Sequence, residues 1–148
     1  STLFNMYQPE GADQRIGESD VVQLLASNER VILWLAGHNH LHKIEKVGTE
    51  SGKRGFWHIQ TASNIDWPQQ GRIVDIFEDG PRIVIATTVF DHQGEISFEV
   101  ASQNLENNNN LAGISRLLAA NDWQRRSGDF DLEKMAGEVT DRNTYLWI

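Results

Sequence analysis

Val31-Ile32-Leu33-Trp34-Leu35-Ala36-Gly37-His38-Asn39-His40 is the stretch on which the reading of this chain turns. The apolar run up to Ala36 lacks the alternation of a half-exposed strand, and it reads as a strand buried on both faces. Gly37 is expected to turn the backbone tightly where that strand ends. Two histidines follow at a spacing of two. Functional groups in open α/β sheets gather at the carboxyl ends of strands. Neutral imidazole is the commonest metal ligand. The stretch therefore predicts a buried strand that delivers a metal-binding loop, with His38 and His40 as ligands.

Working outward, Ser1 to Gly17 has little periodicity and reads as a loop. Ser19 or Asp20 is placed to cap a helix, and Asp20 with Gln23 fits a capping box. Val21, Leu24 and Leu25 form its apolar face, and Asn28 is its expected stop. Downstream, Leu41 to Val47 and Phe56 to Thr61 read as two strands around the polar turn Gly48 to Gly55. A polar connection, Ala62 to Gly71, leads to a second hairpin. Its strands are Arg72 to Phe77 and Arg82 to Phe90, with Glu78-Asp79-Gly80-Pro81 as the turn. The pattern weakens from Asp91 to Glu106. A helix capped by Asn110 then carries Leu111, Ile114, Leu117 and Leu118 to about Trp123. Residues 124-148 read as a mostly irregular tail, with a short helix at Leu132–Ala136. No solenoid repeat is present. Helix, strand, two hairpins and helix make a mixed α/β (α+β) layer arrangement over one unit, 1-148.

Composition narrows the function classes. The chain has 148 residues, five tryptophans and no cysteine. That length suffices for one buried core, and disulfides are excluded. A formal net charge of -8 argues against a nucleic-acid backbone as a general partner. No apolar run approaches the roughly 20 residues of a membrane-spanning helix. The chain opens on Ser1, which reads as a cut rather than a natural start, so localisation stays unassigned.

The remaining polar residues sort by position. His42 alternates with His38 and His40, and on one strand all three would share a face. It is the weaker ligand, because it falls within the next strand. His58 and His92 read as structural histidines. Asn64 and Asp66, in the connection after Phe56 to Thr61, are candidates to orient a metal-bound histidine from behind. Trp57 and Trp67 read as packing residues rather than a pocket mouth. Arg142 reads as a surface or ion-pairing arginine. Gly128-Asp129-Phe130-Asp131 reads as a solvated loop.

The motif Gly37-His38-Asn39-His40 behind an apolar strand resembles the last metal motif, Gly-His-x-His, of the calcineurin-like metallophosphoesterases. The likeness continues through the run from Phe56 to Gln70, with Thr61-Ala62-Ser63-Asn64-Ile65-Asp66-Trp67-Pro68-Gln69 at its heart. It includes Thr87-Thr88-Val89-Phe90-Asp91-His92 and Asp141-Arg142-Asn143, and these stretches are similar to segments in one bacterial branch of the family. The resemblance implies the C-terminal part of a two-sheet αββα sandwich. It implies hydrolysis of phosphate mono- or diesters at two divalent ions, manganese, iron or zinc, set about 3.5–4 Å apart. It assigns His38 to one ion and His40 to the other.

The chain departs from the family pattern upstream. Asp-x-His, Gly-Asp, Gly-Asn-His and a further lone histidine should precede Gly-His-x-His, yet no histidine precedes His38. The expectation is a C-terminal portion that retains two ligands of a larger site and is inactive alone. It is also expected to associate with itself through the sheet edge left open beside Val31–Ala36. A rival likeness comes from His38-x-His40, Glu45 and Gly52, which match the spacing of the first cupin motif. A cupin would be a β-barrel holding one metal. Ile32 stands where that motif has glycine, and the second cupin motif is absent.

Overall fold

The computed structural model describes residues 17–48, 54–95, 106–122 and 131–148. Helix α1, Glu18–Ser27, opens the described chain, and strand β1, Leu33–Ala36, follows. Strands β2, Lys43–Gly48, and β3, Gly55–Gln60, form the first predicted hairpin, and its tip lies outside the described residues. Strands β4, Gln70–Asp79, and β5, Arg82–Asp91, form the second. Helix α2, Asn108–Ala120, helix α3, Leu132–Ala136, and strand β6, Thr144–Trp147, complete the order. The expected loop up to Gly17, most of the stretch after Asp91 and Gly128-Asp129-Phe130 lie outside the described residues.

The described strands form two three-stranded sheets, β1-β3-β2 and β4-β5-β6. In the first, β3 is central, parallel to β1 and antiparallel to β2. In the second, β5 is central and both neighbours run antiparallel to it. Gly80, at φ 61°, makes the tight β4–β5 turn, and Pro81 follows with its fixed negative φ. Ile59, Ile85 and Leu146 form a buried cluster that joins the sheets, and Leu33, Ile44, Trp57 and Val74 pack against it. The fold is mixed α+β, as the order of elements predicts.

Three expectations are corrected. The apolar run Val31–Ala36 is not buried on both faces. Among the described residues β1 pairs only with β3, so it is an edge strand, and Leu35 is 55% exposed. The cap of α2 is Asn107 rather than Asn110, because its side chain accepts bonds from the amides of Asn109 and Asn110. Helix α1 begins after Gly17, with no side-chain cap from Ser19 or Asp20.

The tail is also more ordered than its composition suggests. Besides α3 it holds a 3₁₀ turn, Val139–Asp141, and β6, which pairs Leu146 with Ile85. A buried polar cluster ties this tail to both sheets. Arg72 of β4 donates to the carbonyls of Asp141, at 2.6 Å, and Arg142, at 2.8 Å. Buried Asp141 accepts from the Ile44 amide of β2 at 2.8 Å. Arg142 donates from its guanidinium to the Ala136 carbonyl at 3.0 Å, and among the described residues it makes no ion pair.

Candidate functional site

The histidine loop leaves β1 at Ala36 and enters β2 at Lys43, crossing the end of β3. The Thr61 amide donates to the Ala36 carbonyl at 2.9 Å, fastening the end of β1 to the end of β3. His38 and Asn39 form a turn. Gly37 is not the residue that needs conformational freedom here. Its φ is not in the left-handed region, and an added Cβ would meet only the Thr61 carbonyl, at 4.0 Å. The left-handed residue is His40, at φ 54°. Because of this turn, His38, His40 and His42 do not share a strand face.

The structure brings His40 and Asp66 together, with the Asp66 carboxylate against His40 Nδ1. A carboxylate in that position accepts a hydrogen bond from Nδ1–H and so favours the tautomer protonated on Nδ1. His38 is exposed at the tip of the same turn. Asn64 is exposed, and no hydrogen bond joins it to either histidine. Among the described residues no group of three or more His, Cys, Asp or Glu side chains is arranged to hold a metal ion. His38 and His40 stand on one turn, and the described residues do not make a closed metal site around them.

Local bonds and helix α2 hold the Asp66 loop in place. Ser63 Oγ accepts from the amides of Ile65 and Asp66, at 3.1 and 3.2 Å. The Asp66 carbonyl accepts from the Gln69 amide at 2.8 Å, across the cis Trp67-Pro68 bond. Gln69 donates onward to Ser115 of α2 at 2.8 Å. Nearby, buried Arg116 of α2 meets the Asp91 carboxylate, and Gln70 donates to the same group at 2.9 Å. Burial works to raise the Asp91 pKa, but the bonds from Gln70 and Arg116 prevail and hold it below the ordinary carboxylate value.

The other histidines are structural. His42 is fully buried, and Arg72 Nη2 donates to its Nδ1 at 3.0 Å. Arginine is always a donor, so the ring is neutral with its lone pair spent on Arg72. Burial, then the charges of Arg72 and Arg142, push its pKa down to about 4. His42 is therefore not a third ligand. Burial likewise lowers the pKa of His58, and Glu45 stands 3.9 Å from its Nδ1, too far for a hydrogen bond. His92 Nδ1 accepts from the Gly94 amide at 3.0 Å. Trp57 packs on the core cluster, and Trp67 donates to the Leu132 carbonyl at 3.0 Å.

A cleft of about 850 Å³ opens beside the loop and is lined by Asn39, Lys43, Gln60, Glu133 and Asp141 among others. His38, His40 and Asp66 do not line it. No family model, curated protein or solved structure matches this chain. The cupin spacing finds no counterpart in space, since the described strands form two open sheets and Glu45 faces His58. Sequence reasoning missed Asn39 and Gln60, whose side chains bond at 2.9 Å beneath the loop. The signal available was the register, which sets Gln60 beside both Ala36 and Lys43.

Proposed function

We propose that this chain contributes the Gly-His-x-His loop of a calcineurin-like metallophosphoesterase acting on a phosphate mono- or diester. The observation that carries the reading is the Asp66 carboxylate on His40 Nδ1, within a motif that resembles the family's. A histidine held from behind in this way is oriented and made more basic toward a metal. His38 and His40 would each bind one divalent ion, manganese, iron or zinc. When bound, such a pair of ions neutralises phosphoryl charge and supplies a hydroxide nucleophile.

The chain's own residues do simpler work. Asp66 fixes the proton on His40 Nδ1, and the bonds of Ser63 and Gln69 keep Asp66 in reach. The two facing sheets, in this reading, are the C-terminal part of the αββα sandwich. The chain alone is expected to bind metal weakly and not to turn over phosphate esters, since two imidazoles are too few for a dinuclear site.

Two measurements test this. Coding sequence upstream of Ser1 should contain Asp-x-His and Gly-Asn-His, and a start codon directly before Ser1 would contradict the reading. The purified chain with manganese or zinc should show no hydrolysis of an aryl phosphate. Turnover at ordinary enzyme rates would refute the proposal.

A further inference from the structure

His40 holds a left-handed backbone at φ 54° without being glycine. That conformation is strained for a non-glycine residue and persists only where the surroundings impose it. Asp66 reaches the ring of His40. The backbone of the turn has a separate hold. Asn39, between the two histidines, donates from Nδ2 to Gln60 Oε1 at 2.9 Å.

Gln60 is placed for this. It ends the central strand β3, and its register partners are Ala36 on one side and Lys43 on the other. Those two residues are where the histidine loop departs and returns. Gln60 therefore stands at the foot of the loop's span, on the most constrained strand of the sheet. The residue is 3% exposed, so its carboxamide oxygen has little competition from water.

We propose that Gln60 is the positioning residue of the histidine loop. Its buried carboxamide, acting through Asn39, holds the turn in which His40 adopts its left-handed backbone and meets Asp66. This rests on the reading of His38 and His40 as metal donors. Gln60 itself touches neither metal nor substrate.

The test is a double-mutant cycle on the whole chain with Asn39→Ala, Gln60→Leu and the pair, plus Gln60→Glu, which keeps an acceptor oxygen. Asn39→Ala removes the same bond without touching the buried strand, so a failure of Gln60→Leu to fold leaves the cycle's key arm intact. Without metal, the backbone chemical shifts of His40 should report the left-handed conformation in the native chain and in Gln60→Glu. They should lose it in Asn39→Ala and Gln60→Leu. Zinc affinity, read from the His38 and His40 ring resonances, should fall about tenfold in each single variant and no further in the double. Unchanged His40 shifts in Asn39→Ala would overturn the proposal, as would zinc losses that add in the double. If the native chain binds no zinc at His38 and His40, the metal reading fails, and the metal-free shifts still decide the role of Gln60.

Discussion

The Asp66 carboxylate stands against one ring nitrogen of His40, and in the proposed reading it orients that ring toward a metal. Replacing it with alanine should weaken zinc binding about 10- to 100-fold in a ring-resonance titration. An unchanged affinity would show that the carboxylate is a bystander. Gly137 is a residue of a different kind. It sits at φ 74°, and a Cβ there would lie 2.6 Å from the His42 carbonyl. Gly137→Ala should therefore destabilise the fold by about 2 kcal/mol or more in urea, combining left-handed strain with a backbone clash. The pairing of His40 with Asp66 was partly legible in the sequence, because Asp66 lies in the connection after a strand neighbouring the histidine loop. The fate of His42 was not. Its spacing matches a ligand, and only the tertiary contact with Arg72 shows that its lone pair is taken.

At the level of elements, the hairpins were legible from their turn residues and β-rich flanks, and β4 and β5 run longer than predicted on both sides of Gly80. The status of β1 was not legible. An apolar run is the same in sequence whether it is central or at an edge, and pairing decides which. Ile32 and Ala36 turn their carbonyls toward β3, so the alternate residues Leu33 and Leu35 present their backbone groups to the side on which no strand pairs among the described residues. Such an apolar edge invites strand pairing between copies. Leu35→Lys should reduce self-association in sedimentation at high concentration, and a native chain that stays monomeric there would count against an active edge. The cap of α2 gives a sharper check. Asn107→Ala should cost about 1 kcal/mol, while Asn110→Ala should cost much less. Equal losses on urea unfolding would reject Asn107 as the cap. β6 escaped the sequence reading because four residues near the chain end carry little periodic signal, and its strand state comes from pairing with distant β5.

For the whole molecule, the two sheets are joined by an apolar cluster and by a buried polar one. Ile59, Ile85 and Leu146 supply the first, and His42, Arg72 and Asp141 the second. This gives stability a pH dependence. Burial lowers the pKa of both His42 and His58 from the ordinary 6.5, that of His42 to about 4. Below about 6.5 the unfolded chain binds protons that the folded chain refuses, so stability falls as pH falls and is fully present above that value. Urea unfolding at pH 7.5 and 5 should show the loss, and His42→Gln should reduce it if the variant folds. Equal stability at both values would mean these rings are not held neutral.

The most direct measurement is a long-range ¹⁵N spectrum of the histidine rings with and without zinc. The expected result is His40 carrying its proton on Nδ1 in the metal-free chain, with His40 Nε2 and the His38 ring shifting as zinc is added. A proton on His40 Nε2, or rings of His38 and His40 indifferent to zinc while His42 responds, would contradict the assignment of this loop as a metal donor.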